Sequence, residues 1–146
     1  IGRPYPEQRA FEAIRNGAIG AATEDPRFPP VSPAEMDEIT VEVSVLSQPE
    51  PVVVDGDRPS LPVDVGRDGL IVESDGRSGL LLPQVAVEYD WDAVAFLEQT
   101  CRKAGLPEGC WRNGTATVER FTADVFAETA PRGPVEAIPV GESTMA

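Results

Sequence analysis

Residues 39–46 read Ile-Thr-Val-Glu-Val-Ser-Val-Leu and carry the clearest strand signal in the chain. Apolar side chains occupy every second position, and Thr40, Glu42 and Ser44 stand between them. Because successive side chains of a strand point to opposite faces of a sheet, one face is expected to be buried and the other solvated. One-sided burial of this kind is typical of antiparallel sheets. The expected buried face consists of Ile39, Val41, Val43 and Val45.

Helices and further strands are predicted on both sides of this stretch. The first helix covers about residues 7–22, a capping box from Ser32 to Glu35 opens a short second helix, and a third covers about 91–104. Shorter strand patterns cover residues 52–54, 61–65, 70–73, 80–82 and 116–127. The first helix is expected to bury Phe11, Ile14, Ala18 and Ala21. Interleaved helices and alternating strands predict an α+β fold of mainly antiparallel sheets with flanking helices.

The third predicted helix has signals at both ends. Asp90 is the expected N-cap, and Arg102 with Lys103 places positive charge where the helix macrodipole is negative. Gly105 supplies the left-handed residue that closes a helix, and Leu106 supplies the hydrophobic contact that accompanies it. We therefore expect the chain to leave the helix at Gly105.

Charge is the most unusual feature of the composition. The 146 residues include 25 Asp and Glu but 12 Lys and Arg, which gives a net charge of −13, and Lys103 is the only lysine. This excess of acidic residues disfavours nonspecific binding to nucleic-acid phosphates. It favours adaptation to high salt over the alternative, an acidic protein kept soluble by the repulsion between its charges. No apolar run reaches the ~18 residues of a membrane-spanning helix, and no secretory leader pattern is present. A cytoplasmic protein without membrane contact is expected.

The fold is expected to need high salt. Repulsion among the acidic side chains disfavours compaction at ~0.1 M salt, where the Debye length is about 10 Å, and is screened at ~1 M salt, where that length is about 3 Å. The midpoint of thermal unfolding should therefore rise as KCl is added across this range. A midpoint that stays constant or falls would contradict salt adaptation.

Cysteine and histidine content limits the chemistry that the chain can supply. The chain has two cysteines, Cys101 and Cys110, and no histidine. Two cysteines do not complete a four-ligand structural zinc site, and a Ser-His-Asp or Cys-His arrangement needs a histidine. Cys101 lies on the apolar stripe of the third helix and Cys110 lies beside Trp111, so both are expected to be buried thiols with structural roles. No disulfide framework is implied.

Several segments match the motifs of one protein family. Residues 25–30, Asp-Pro-Arg-Phe-Pro-Pro, match an Asp-x-Arg-Phe-Pro-Pro loop, and Ile1-Gly2 matches the end of a Leu-Arg-Gly-Cys-Ile-Gly signature. Further matches follow in the same order at residues 43–47, 69–71, 82–85, 91 and 103–107. Together these segments resemble the AMMECR domain family, named for a human chromosomal region linked to Alport syndrome, midface hypoplasia and elliptocytosis.

The resemblance covers residues 1–128 and implies a domain over that range. Closely spaced prolines and glycines and few large apolar side chains predict an extended tail at 129–146. The resemblance implies an archaeal member with a two-lobed fold and a cleft that holds the signature motif, and the charge balance predicts that this member is salt-adapted. The signature cysteine would immediately precede Ile1, so a chain truncated at its N terminus is expected.

The resemblance assigns no reaction and no cofactor. It implies an enzyme, or a subunit of one, that modifies a base or small molecule together with Memo-type and radical S-adenosylmethionine proteins. The alternative is a noncatalytic binding module that presents its cleft to a protein or nucleic-acid partner. An anionic small molecule or a nucleotide is the expected ligand.

Gly2, Arg27 and Gln84 are the candidate residues of the expected cleft. Arg27 stands among prolines that restrict the backbone, and its guanidinium suits a phosphate or carboxylate. Its alternative role is an ion pair with Asp25 or Glu24. The amide of Gln84 has two interpretations as well, because it suits a ligand and also suits nearby loop backbone.

Four aspartates in the middle of the chain raise the question of a cation site. They are Asp55, Asp57, Asp64 and Asp68. Because the spacing of a calcium-binding loop and its closing glutamate are both missing, we expect solvated turn residues and no metal site.

Overall fold

The computed structural model describes residues 1–2, 5–6, 8–54, 62–112 and 114–142. The α-helices within these ranges are α1 (Ala10–Thr23), α2 (Pro83–Glu88) and α3 (Ala93–Lys103). Short 3-10 helices occupy Pro33–Asp37 and Val140–Glu142. The strands are β1 (Glu42–Leu46), β2 (Glu50–Pro51), β3 (Gly69–Ser74), β4 (Arg77–Leu81), β5 (Thr117–Phe121), β6 (Ala123–Glu128) and β7 (Val135–Ile138).

These strands form two sheets. One has the order β1-β6-β7 and the other has the order β2-β5-β3-β4. Antiparallel pairing joins β2 to β5, β5 to β3, β3 to β4, and β6 to β7. The predicted α+β class with antiparallel sheets is confirmed. None of the helices in the described ranges combines the length and the apolar character needed to cross a membrane.

Contacts divide the chain into two compact units. The first comprises Ile1–Ser44 and Val125–Ile138, and the second comprises Val45–Asp124 and Pro139–Ala146. The second unit contains the principal hydrophobic cluster of the described chain, drawn from β3, α2, α3, β5 and their connections. Its largest fully buried side chains are Trp111, Phe96, Leu70 and Leu97. Among the described residues, every buried hydrophobic side chain except that of Val125 therefore belongs to the second unit.

A two-residue turn joins β3 to β4. Asp75 and Gly76 have φ angles of 50° and 76°, and Ser74 pairs with Arg77 across the turn. Positive φ at both central residues is the geometry of the type I′ hairpin turn, which favours Asp-Gly. The chain therefore enters β4 at Arg77, three residues earlier than the sequence pattern predicted.

The start of α3 differs from the prediction. Asp92, not Asp90, is the N-cap, and its carboxylate accepts a hydrogen bond from the Ala95 N–H at 2.8 Å. Asp90 has a φ of 54° and lies in the connection from α2, a helix that the sequence analysis did not predict. Pro83 at the first position of α2 was the missed signal, because its fixed φ suits the start of a helix.

The end of α3 follows the prediction. Gly105 has a φ of 74°, its N–H donates to the Arg102 carbonyl oxygen, and the Leu106 N–H donates to the Cys101 carbonyl oxygen. These two bonds define a Schellman motif. Leu106 also packs against the hydrophobic cluster, so the contact expected of this position is present.

On two faces that were predicted to be buried, every side chain is exposed or only half-buried. On α1, Phe11 and Ile14 are 62% and 43% exposed, and Gly20 is the only buried residue of that helix. Val45 of β1 is 46% exposed, and Val41 just before that strand is 40% exposed. These predictions were wrong because periodicity shows which side chains share a face, not whether another described element packs on that face.

The C-terminal strand pattern also differs from the prediction. Residues 116–127 form two strands in different sheets, since β5 ends at Phe121 and β6 begins at Ala123. Residues 62–65 form no strand, and Leu61 lies outside the described residues. Within the segment predicted as a tail, β7 pairs with β6. The domain boundary at residue 128 stays a prediction.

Candidate functional site

Hydrogen bonds hold the loop of residues 25–30 at its base and in its interior. The Val31 N–H donates to the Ala22 carbonyl oxygen at 2.8 Å, which closes the base of the loop on the end of α1. The Asp25 carboxylate accepts a hydrogen bond from the backbone N–H of Arg27 at 3.0 Å. With the restricted φ angles of the three prolines in the loop, these bonds limit the backbone positions that Arg27 can adopt.

The Arg27 guanidinium contacts Asp25 in a bidentate arrangement. Nε lies 3.0 Å from Oδ1 and Nη2 lies 2.7 Å from Oδ2. The Asp25 side chain is only 7% exposed, whereas that of Arg27 is 57% exposed. The guanidinium carbon lies 5.4 Å from the centroid of the Phe28 ring. The ion pair, which was one of the two interpretations of Arg27, is therefore present.

These contacts lower the pKa of Asp25. Hydrogen bonds from the Arg27 side chain, and then from the Arg27 backbone N–H, lower this pKa from its ordinary 3.8 to about 2. In the same contact, the Asp25 side chain raises the pKa of Arg27. Because both groups stay charged at neutral pH and their charges cancel at a distance, an approaching anion meets a weaker field than a lone arginine would produce.

The Asp25 pKa makes a contribution to stability that depends on pH. Because its folded-state pKa lies below the unfolded value, this contribution is present above pH 3.8 and is lost as the pH falls from 3.8 through about 2. A carbon-13 titration of the side-chain carboxyl should show a midpoint of about 2 in the native protein. In the Arg27→Gln variant this midpoint should move back toward 3.8. An ordinary midpoint in the native protein would show that the bidentate contact does not persist in solution.

The other two candidate residues lie in different units. Gly2 is exposed and belongs to the first unit, as Arg27 does. Gln84 belongs to the second unit, in the first turn of α2, and is 2% exposed. Both interpretations of the amide stay predictions. The cleft predicted for these three residues stays a prediction.

The two cysteines form a disulfide, so the prediction of two buried free thiols was wrong. Cys101 and Cys110 are bonded, with their Cα atoms 6.2 Å apart. They are 0% and 5% exposed, which confirms the predicted burial. The reversal at Gly105 and a turn from Pro107 to Cys110 bring the second cysteine back to α3. The spacing of the two cysteines along the chain did not predict this meeting.

Asp68, which was predicted to be solvated, is buried. Its side chain is 1% exposed and accepts a hydrogen bond from the Asp64 N–H at 2.9 Å. The Arg67 guanidinium binds both of its oxygens, through Nε at 3.0 Å and Nη2 at 3.2 Å. Asp64 is exposed as predicted, while Asp55 and Asp57 lie outside the described residues. Elsewhere in the described chain, as here, no three side chains of metal-ligand type come together.

Comparisons with known proteins place these features in a family. The AMMECR1 family model matches residues 1–126. A protein from Thermococcus gammatolerans is 56% identical over 140 residues, which cover 96% of this chain and 68% of that protein. A protein from Methanothermobacter thermautotrophicus is 55% identical over 130 residues, covering 88% and 67% respectively. The crystal structure of an uncharacterised protein from Pyrococcus horikoshii is similar with a TM-score of 0.87 and 51% identity, over 95% of this chain and 68% of that one.

Proposed function

The chain belongs to the AMMECR1 family, and on that premise we propose that it is the ligand-recognising part of an enzyme, or of an enzyme subunit, that modifies a base or another small molecule. The proposed recognition element is the loop of residues 25–30, and the proposed ligand carries a phosphate or a carboxylate. Memo-type and radical S-adenosylmethionine proteins are the proposed partners, because the family resemblance associates them with this domain. Recognition without catalysis by this chain is the second candidate.

The observation that carries the proposal is the way the loop presents Arg27. Asp25 binds the backbone and the guanidinium of the same residue, yet the Arg27 side chain stays 57% exposed. Phe28 beside it is 48% exposed. A cation and an aromatic ring are thus displayed on a loop whose backbone is held in place, which reduces the entropy lost when a ligand binds.

A second observation favours recognition without catalysis by this chain. The chain contains no histidine, and its two cysteines are joined in a disulfide. Covalent catalysis uses a nucleophile beside a general base, and these residues supply neither a thiolate nor an imidazole. A thiolate or an imidazole would have to come from another part of the enzyme or from a partner.

The proposal predicts that Arg27 contributes to the binding of an anion. With sodium pyrophosphate as the probe, followed by amide chemical shifts, Arg27→Gln should weaken binding by ~1.5–3 kcal/mol, as expected for the loss of a charged hydrogen bond. Arg27→Lys should weaken it less, because it keeps the charge beside Asp25 but not the bidentate geometry. Because Arg27→Gln removes the guanidinium that pairs with the Asp25 carboxylate, the midpoint of thermal unfolding of this variant is measured as well.

The matched control is Arg132→Gln. Arg132 is also exposed, belongs to the same unit and, among the described residues, contacts one carboxylate, that of Asp37, at 3.3 Å. The Arg132→Gln substitution removes the same charge and leaves the loop unchanged. If both variants bind pyrophosphate as the native protein does, or if both lose the same affinity, the loop is not a recognition element.

A further inference from the structure

A shallow concavity of about 380 Å³ opens on the surface of the second unit. It is lined by Leu81, Trp91, Gln99, Arg102 and Lys103. Leu81 ends β4, Trp91 lies in the connection between α2 and α3, and the remaining three belong to α3. The volume falls within the range of small-ligand sites, roughly 300–1,000 Å³.

The charge of this concavity is opposite to that of the chain. Its lining includes two of the 12 basic residues and none of the 25 acidic ones. Lys103, the only lysine, makes no ion pair with any carboxylate in the described ranges. Arg102 meets Glu108 at 3.5 Å, and both side chains are more than half exposed, so water and salt weaken that contact. A negatively charged ligand therefore meets local attraction here despite the net charge of −13.

The side chains of Arg102 and Lys103 are not needed as hydrogen-bond donors to the carbonyl groups at the end of α3. Backbone N–H groups of the Schellman motif bind the carbonyl oxygens of Cys101 and Arg102, and the Ala104 N–H binds that of Thr100. Just beyond the helix, Arg77 Nη1 donates to the Gly105 carbonyl oxygen at 2.9 Å. Because these carbonyl groups have partners already, the side chains of Arg102 and Lys103 remain to bind a ligand.

The aromatic part of the concavity is supported from both sides. The Trp91 indole stacks on Tyr89, with ring centroids 5.0 Å apart and planes at 16°. It also meets the fully buried Phe96, with centroids 6.4 Å apart. Tyr89 itself is 62% exposed, so aromatic surface extends beyond the concavity. Aromatic side chains held next to cations are the features with which proteins bind bases and phosphates together.

We propose that this concavity binds a nucleoside phosphate, either as a free nucleotide or as the phosphorylated end of a nucleic-acid strand. The base contacts Trp91, the Gln99 amide donates to and accepts from the edge of the base, and Arg102 and Lys103 bind the phosphate. The site lies within the second unit and uses no residue of the loop at 25–30, so it is independent of the function proposed above.

Isothermal titration of the intact chain with AMP, adenosine and inorganic phosphate tests this proposal. AMP should bind more tightly than either fragment, because only AMP engages both the indole and the cations. Lys103→Gln and Arg102→Gln should each weaken AMP binding about tenfold, as for one charged hydrogen bond. Trp91→Phe, chosen because it keeps an aromatic ring beside Tyr89, should weaken both AMP and adenosine while leaving phosphate unchanged.

A charge control separates this site from general charge effects. Arg15→Gln removes one positive charge on α1, in the first unit, and should bind AMP as the native protein does. A single-stranded oligonucleotide, with and without a 5′-phosphate, identifies the source: tighter binding than AMP that requires the phosphate indicates a strand end, and weaker binding indicates a free nucleotide. No binding of millimolar AMP, or equal losses in Lys103→Gln and Arg15→Gln, would overturn the proposal.

Discussion

Replacement of both cysteines by alanine is expected to lower the free energy of unfolding by about 3 kcal/mol, the largest effect predicted for this protein. The bridge joins Cys101 to Cys110 across a sequence separation of 9 residues, and a closed loop of that size restricts the unfolded chain. Both cysteines are also buried, so alanine removes packing contacts in the second unit. Urea unfolding of the native protein and the double variant, without reductant, measures the difference.

Reduction provides the control. Dithiothreitol should destabilise the native protein by a similar amount and should leave the Cys101→Ala, Cys110→Ala variant unchanged. A thiol assay on denatured, unreduced protein gives the decisive readout, because the native chain should show no reactive thiol. Two reactive thiols would mean that the bridge is absent in solution and that the expectation of two buried thiols was right.

Gly79→Ala is expected to lower the free energy of unfolding by about 2 kcal/mol, because it places a methyl group where two backbone segments meet. A Cβ at this position of β4 would lie 2.5 Å from the backbone nitrogen of Ala104 and 2.8 Å from the carbonyl carbon of Lys103. No rotamer change relieves such a contact, so β4 or the end of α3 must move. The lower entropy of the unfolded alanine chain offsets only ~0.4–1 kcal/mol of this loss.

Gly109→Ala is the matched control for this substitution. The nearest heavy atom to a Cβ at Gly109 is Arg112 Cδ, at 3.8 Å, which is an ordinary contact distance. The same chemical change should therefore leave stability unchanged or raise it by up to ~1 kcal/mol. Equal stability of Gly79→Ala and the native protein in urea unfolding would show that β4 and α3 do not approach as closely as described.

Signals that act over a few residues predicted part of the local structure. Gly105 ends α3 as expected, because glycine has no Cβ and adopts the left-handed conformation that ends a helix without steric cost. The Asp25–Arg27 contact was named as one of two alternatives, since its partners stand two positions apart. The ordered motifs from Ile1 onward indicated the family, and the match over residues 1–126 confirms it. Salt adaptation and a cytoplasmic location stay predictions.

Tertiary structure alone decided which distant groups meet. Cys101 and Cys110 meet only because the chain reverses between them. Neither the number of cysteines nor their positions along the sequence indicates that reversal. The concavity joins the end of β4 to α3, and Gly79 permits their close approach. The charge pattern and the hydrophobic periodicity of the sequence indicate the faces and the ends of single helices and strands. Contacts between elements depend on the direction in which each turn sends the next element. A change of a few degrees in one turn moves every later residue by several ångströms.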